Sequence, residues 1–411
     1  MAEPKVRFKR DDGSSYPAWN DFRLGDICDP LQYGMNAAAK AFDGKNKYIR
    51  ITDIDESTHR YLMNDIVSPD GDLDEKYAVG IGDILFARTG ASTGKSYLYN
   101  PTDGKMYFAG FLIRAHVKEG NDAGFIYAQT QTKRYNDWVI KTSQRSGQPG
   151  INAEEYSGYI VRVAESLEEQ QKIADFLSSV DVVITTSEKE VANLETQKKA
   201  VMKKIFSQEV RFKRADGSDF PEWEHKPLSD VFDTRNGYTP SKSNPDFWTN
   251  GTLPWFRMED IRENGGVLHD AIQHITPQAV KGGGLFPANT VIFATSATIG
   301  EHALLLTEAL SNQRFTAIIP KPEYKEHLLP LFVYYVGFDV DDYNIKHQGV
   351  STMPLVSMDE FKNYPFPMIN IDEQRLIADF LSDFDEAIAA AKKELELWKE
   401  LKKGILQQMF V

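Results

Sequence analysis

The chain has one cysteine, Cys28, in 411 residues. Without a second thiol there is no internal disulfide and no cysteine-built zinc site, and no nearby histidine pattern marks Cys28 as a nucleophile, so it reads as a small buried apolar residue. Histidine is also scarce, at 8 residues. None combines with Asp or Glu at metal-ligand spacing, and no Ser, His, Asp order stands out. No apolar run approaches 18 residues, and the charged start MAEPKVRFKRDDG has no hydrophobic stretch behind it; neither a membrane span nor a signal peptide is expected, and the expected compartment is the cytoplasm. Basic residues are in the minority, 47 Lys and Arg against 60 Asp and Glu, for a net charge of -13. That argues against sequence-independent coating of nucleic acid, so any DNA contact must be local or helped by a partner. What is present, 41% apolar and 12% aromatic residues, is an ordinary globular composition in a chain long enough for about two to four domains.

The sequence is written twice. VRFKRDDGSSYPAW (Val6–Trp19) recurs as VRFKRADGSDFPEW (Val210–Trp223), identical at ten of fourteen positions, and EQQKIADFLS (Glu169–Ser178) recurs as EQRLIADFLS (Glu373–Ser382). Both are shifted by 204 residues, so two copies of one unit fill the chain. Between these anchors the copies drift: YIRITDI (Tyr48–Ile54) pairs with WFRMEDI (Trp255–Ile261), and ILFARTGASTG (Ile84–Gly94) with VIFATSATIG (Val291–Gly300), at shifts of 206 to 207. A shared scaffold carrying divergent surface segments is what two domains of one fold would leave if they read two different targets.

After Ser166, the apolar residues Ile173, Phe176, Val180, Val183, Val191, Leu194, Val201 and Ile205 fall at steps of three and four or their sums, a heptad seam. Ile377, Phe380, Phe384, Ala387, Leu395, Trp398, Ile405 and Met409 repeat it. The seams predict two coiled-coil helices, over 166–209 and 370–411, each of about 40 residues and so roughly 60 Å long. Ser166 with Glu169 and Asn370 with Glu373 have the spacing of capping boxes. Lys198 and Lys402 share one seam position, where a polar residue fixes register, so the two helices are expected to pair with each other about a pseudo-twofold. Elsewhere GDILFART, NTVIFATS, RFTAIIP and FLIRAHV are short, apolar and rich in Ile, Val, Phe and Thr, which predicts strands; helical stretches are expected around 124–142 and 324–336. The expected fold is α+β, with two similar globular domains, 1–165 and 210–369, separated by two long antiparallel coiled-coil helices.

Three motifs suggest catalysis and fail on inspection. GASTGKS (Gly90–Ser96) has Thr89 where a Walker A loop needs its first glycine, and the second copy offers Glu301 in place of the lysine, so it reads as a turn whose amides and hydroxyls could meet a phosphate or a base edge. NPDF (Asn244–Phe247) approaches the motif that holds a flipped adenine in amino-methyltransferases, but an aspartate replaces its second proline and no glycine-rich loop for S-adenosylmethionine is found. Pro69, Asp70, Asp74 and Lys76 form one short acidic loop rather than a nuclease centre on paired strands. No cofactor is expected.

In this order and duplicated, RFKRDDGSSYPAW, YTPSKSNPDFWTNGTLPWFRMEDI (Tyr238–Ile261), GDILFARTGASTGK, SNQRF (Ser311–Phe315) and the repeated EQ..IADFLS resemble the specificity (S) subunit of type I restriction-modification systems over nearly the whole chain. The resemblance implies a noncatalytic subunit with two target-recognition domains, each reading one half of a split double-stranded DNA site. It also implies helices that dock two methyltransferase subunits, with restriction subunits joining through the complex. A stand-alone methyltransferase or nuclease, or a protein-binding scaffold, is the alternative. The predicted helices carry -2 and -3, leaving -8 on the rest of the chain, so they read as spacers rather than DNA clamps. Candidate DNA-binding residues lie in or beside Gly, Ser and Thr loops: Arg88, Lys95, Gln144, Arg145 and Gln148 in the first domain, and Lys242, Arg314, Lys346, His347 and Gln348 in the second. Candidate helix-pairing residues are Ile173, Phe176, Val180, Leu194 and Lys198 with Ile377, Phe380, Phe384, Trp398 and Lys402. Arg50 and Arg257, each three residues before an aspartate (Asp53, Asp260), occupy matching places and read as a structural pair with it.

Overall fold

The runs DILFA and TVIFA are apolar at nearly every position and buried along their whole length, as strands covered on both faces must be. Each is the centre of a sheet. The structure, a computed structural model, describes residues 4–349 and 355–410, and the chain divides into two compact units, Met1–Glu190 with Ala391–Val411, and Val191–Ala390. The first unit contains β1 (Trp19–Arg23), β2 (Gln32–Tyr33), β3 (Asp83–Ala87), β4 (Ser96–Leu98), β5 (Leu112–His116), helices α1 (Ala123–Gln129) and α2 (Lys133–Thr142), and β6 (Ile160–Ala164). Its main sheet is antiparallel in the order β2-β5-β3-β4, while β1 pairs antiparallel with β6, Trp19 opposite Ala164. A long helix, α3 (Leu167–Phe206), follows.

The second unit repeats the plan with β7 (Glu224–Pro227), β8 (Phe232–Asn236), β9 (Val267–Leu268), β10 (Thr290–Ala294), β11 (His302–Leu305), β12 (Phe315–Pro320), helix α4 (Pro330–His347) and β13 (Pro365–Met368), before the second long helix α5 (Ile371–Met409). Its sheet runs β8-β12-β10-β11-β9, the first four strands matching the four of the first unit, and β7 pairs antiparallel with β13. Where the first unit has two short helices, the second has the single α4.

The near-identity of the duplicated anchors has a structural cause. Glu169 is fully buried; its carboxylate accepts from Arg7 Nε (2.9 Å) and Nη2 (2.8 Å) and from Trp19 Nε1 (3.1 Å). Glu373 repeats this with Arg211 (3.2 and 3.1 Å) and Trp223 (3.1 Å). A buried carboxylate is tolerable only with such a full set of donors, so the glutamate, arginine and tryptophan cannot drift separately. The neighbouring glutamines tie the helix starts to their domains: Gln170 accepts from the Asp122 amide and donates to the Ala164 carbonyl, and Gln374 accepts from the Leu329 amide and donates to the His327 and Ile369 carbonyls. The glutamates at the expected capping-box positions are thus engaged by a distant arginine and indole, while at the second helix start the Asn370 side chain accepts from the Asp372 amide (2.9 Å).

The helix seam is corrected by one position. Buried along α3 are Ile173, Leu177, Val180, Ile184, Val191, Lys198, Met202 and Ile205, and along α5 Ile377, Leu381, Ile388, Leu395, Leu406 and Met409. Phe176 and Phe380, expected in the seam, are instead 37% and 36% exposed and set their rings edge-on against Phe8 and Phe212 of the N-terminal arms. Leu194, Phe384 and Trp398 are half-buried, and the Trp398 indole donates to Glu394 of its own helix. In the first unit, Lys402 reaches Asp181 (2.8 Å) and Lys399 reaches Glu188 (3.6 Å), so α3 and α5 run antiparallel there. In the second unit, Lys198 reaches Asp385 (2.5 Å). Each lysine of the shared seam position thus meets an aspartate at a matching position of the other helix. The first core joins Trp19, Phe125, Ile173 and Leu177 with Leu406 and Met409; the second joins Trp223, Phe332, Met202 and Ile205 with Ile377 and Leu381. Cys28 is buried, which pushes its thiol up to about 12.

Candidate nucleic-acid interface

Strand β3 ends at Ala87 and runs through Arg88 and Thr89 into a single turn, Gly90–Ser92, before returning as β4. Main-chain bonds hold this apex. The Arg88 amide donates to the Phe111 carbonyl (3.0 Å), Ile151 donates to the Arg88 carbonyl (3.0 Å), and Gly90 donates to Pro149 (3.0 Å). Gly90 and Gly94 sit at φ +73° and +92°, and a Cβ on Gly94 would lie 2.5 Å from Val139 of α2, so glycine is required there by conformation and by space.

The first unit's candidate residues have separate fates. Lys95 points inward, donating to the Ile54 carbonyl (3.4 Å) beside Glu56 (3.8 Å). Arg145 sets its Nη2 against both Glu155 oxygens (2.6 and 2.7 Å) and its Nη1 on the Thr142 and Gln144 carbonyls. Gln144 is exposed beside it, and the Gln148 amide packs over Gly90, 2.8 Å from where a Cβ would be. Arg88 remains without an ion pair among the described residues. Its guanidinium lies 5.0 Å from the Tyr33 ring centroid and 5.9 Å from that of Phe111, and its Nε is buried with no hydrogen-bond partner. Tyr33 and Phe111 are themselves 43% and 57% exposed. Both rings escape sequence reasoning, because each stands at a strand edge where alternation gives no hint of a bound cation.

The second unit builds the same apex from other side chains. Thr295 donates to the Arg314 carbonyl (3.0 Å), Val356 donates to Thr295 (3.2 Å), and Ala297 and Gly300 take the positive φ values, +66° and +100°. Thr295, Asn236 and Arg314 therefore stand where Arg88, Tyr33 and Phe111 stand in the first unit. Thr295 and Asn236 are joined through the Thr316 hydroxyl (2.9 and 2.8 Å), and Arg314 is exposed. Lys242 is exposed. Lys346 and His347 close α4, with the His347 ring stacked on Tyr343 at 4.0 Å, and half-buried Gln348 follows. Asn244 of NPDF spends its side chain capping the turn Pro245–Phe247.

Arg50 grips Asp53 through two nitrogens (2.8 and 2.7 Å). In the second copy Arg257 bonds Asp260 through its amide (2.6 Å), the Ile272 amide takes the other carboxylate oxygen (2.6 Å), and the guanidinium lies near Trp255 with its buried Nε 3.8 Å from Glu259. Among the described residues no cluster of three His, Cys, Asp or Glu could hold a metal ion, and no helix is long and apolar enough to cross a membrane.

The type I restriction modification DNA specificity domain matches this chain twice, over residues 17–196 and 221–397. The chain belongs to that family. Among its relatives, the EcoprrI specificity subunit of Escherichia coli is 48% identical over 36% of this chain and 37% of its own length. The MjaIX specificity subunit of Methanocaldococcus jannaschii is 28% identical over 50% and 48%, so the chain spans less than half the length of either. The putative MjaX specificity subunit of the same archaeon aligns over 97% of this chain and 94% of its own length, at 24% identity. The fold is shared with the type I restriction-modification S subunit from M. genitalium (TM-score 0.58, 13% identity, covering 100% of this chain and 99% of the other). It is shared as well with a chain solved in work on complex assembly and conformational transition of the type I R-M system (TM-score 0.60, 17% identity, 95% and 97% covered).

Proposed function

We propose that this chain is the noncatalytic DNA-recognition subunit of a type I restriction-modification complex, acting in the cytoplasm. Each unit reads one half of a bipartite double-stranded site. The long helices dock two methyltransferase subunits, and restriction subunits join through that complex. One observation carries the reading: the two units share a strand order and a hydrogen-bonded apex, yet set Arg88, Tyr33 and Phe111 there in one and buried Thr295 with exposed Asn236 and Arg314 in the other. A surface with one target has no cause to diverge at the tip while its frame is kept; a pair of readers with unlike half-sites has. Of the ten candidate DNA contacts, Arg88, Gln144, Gln148, Lys242, Arg314, Lys346, His347 and Gln348 are retained, while Lys95 and Arg145 are assigned to the frame by their partners. The test exchanges residues 21–165 for the matching domain of a relative and maps methylated adenines in cells. One half-site should change and the other stay; change in both, or in neither, overturns the reading.

A further inference from the structure

We infer that Arg88, clamped between the Tyr33 and Phe111 rings, is a base-reading side chain of the first unit and that it takes a guanine through the major groove. The inference rests on the reading of each unit as a half-site reader. The two rings stand by the guanidinium at 5.0 and 5.9 Å. Cation–π contacts of this kind hold the group in place without consuming its N–H donors. Its Nε is shut away without a partner, whereas the two terminal nitrogens, which bond to no group among the described residues, are not shut away. What is left to offer is one planar pair of donors.

Two acceptor pairs on DNA fit that fork: the O6 and N7 of guanine, and two oxygens of a phosphate. The duplicated architecture decides between them. Both units meet the same uniform phosphate backbone, so a phosphate contact at the apex would be wanted in both. The main-chain frame is kept, with Arg88 bonded to Phe111 and Thr295 to Arg314 at 3.0 Å in each case, yet at this position the arginine is replaced by the buried Thr295, and the second apex's own exposed arginine, Arg314, stands instead at the place of Phe111. Variation at a fixed place in a fixed frame is the property of a base contact. Tyr33 and Phe111 are positioning residues in this scheme, acting through the guanidinium.

The experiment uses the full chain in complex with its methyltransferase partners and measures methylation of sites that differ at each base of the first unit's half-site. Arg88→Ala and Arg88→Lys should both lose preference for guanine at one position, by about ten- to a hundred-fold, and leave the second half-site unchanged. Lysine keeps the charge but not the planar pair of donors, so it should not restore the preference. Tyr33→Ala combined with Phe111→Ala should relax the same position, and Tyr33→Phe, which keeps the ring, should not. If Arg88→Ala lowers methylation of all sequences alike and Arg88→Lys restores it, the residue binds phosphate and the inference is wrong. It is equally wrong if the variants keep the wild-type preference. A domain exchange that moves the half-site while the Arg88 variants change nothing would overturn this inference alone; an exchange that moves nothing would overturn the reading beneath it.

Discussion

Removing Arg7 should cost the first unit far more than the loss of a surface ion pair. Glu169 has a side chain with no solvent exposure, against 19% for Arg7. Among the described residues, Arg7→Ala would leave that carboxylate with the Trp19 indole as its one side-chain donor and would also strip the donor from the Pro17 carbonyl, now bonded at 2.6 Å. Breaking a buried pair by deleting one partner costs about 3–5 kcal/mol, and the partial exposure of Arg7 sets the expectation at the lower end, about 3 kcal/mol. A unit of this size loses about 2–4 °C of melting temperature per kcal/mol, so its transition should fall by roughly 6–12 °C. Scanning calorimetry of the full chain, with hydrogen exchange at the start of α3 to assign the transition, reads this directly. Arg211→Ala should do the same to the second unit through Glu373. The double variant Arg7→Ala with Glu169→Gln should recover part of the loss, because the amide still accepts the indole proton without a buried charge. A fall of about 1 °C or less for Arg7→Ala, the scale of an exposed pair, would refute the claim that the clamp fixes the repeated anchors.

The pH dependence of the first unit should carry the signature of His59. Burial, opposed by the hydrogen bond from the ring Nδ1 to the Ser96 carbonyl at 3.0 Å, holds its pKa below the ordinary value, so the fold keeps the ring neutral; its stabilising share is complete above the unfolded value of about 6.5 and is lost as pH falls from there toward the folded value. His59→Asn, which suits the positive φ of 57° at this site, should flatten that fall between pH 7 and 5 in denaturant titrations, and equal slopes for both proteins would contradict it. On the proposed function, the purified complex should contain two methyltransferase subunits per chain, because the framework is repeated once in each copy, and native mass measurement of a stable active complex with a single such subunit would show otherwise.

What the sequence made legible was whatever local order and repetition encode. The strands around DILFA and TVIFA, the two long helices, and the pairing of Lys198 and Lys402 with the opposite helix all follow from period and position. The errors come from contacts over long sequence distance. Choosing Phe176 over the adjacent Leu177 for the seam is a choice between two apolar neighbours, and only Phe8, brought beside the helix by the N-terminal arm, draws the phenylalanine out. Glu169 has the spacing of a capping box, and nothing near it in sequence announces that an arginine 162 residues away will claim it. The interface was the least legible part. Lys95, Arg145 and Arg88 are alike as letters in glycine-rich loops; Ile54, Glu155 and the pair Tyr33 and Phe111 make them an inward donor, a surface ion pair and an uncommitted cation.

Under the proposed function, the same distinction explains how such a chain can change its target without refolding. The anchors are joined side chain to side chain: Arg7, Trp19 and Glu169 form a set in which altering one member strands a buried charge, so all three are held together in both copies. The apex is joined main chain to main chain. Arg88 to Phe111 and Thr295 to Arg314 are amide-to-carbonyl bonds that any residue except proline can donate. The main-chain frame does not depend on which side chains sit on it, and the Thr295–Thr316–Asn236 chain in one unit and the aromatic clamp on Arg88 in the other are two solutions on one frame. On the proposed reading, substitution at the apex therefore falls on recognition, whereas substitution at the anchors falls on stability. A scaffold divided in this way can keep its fold while its loops are rewritten.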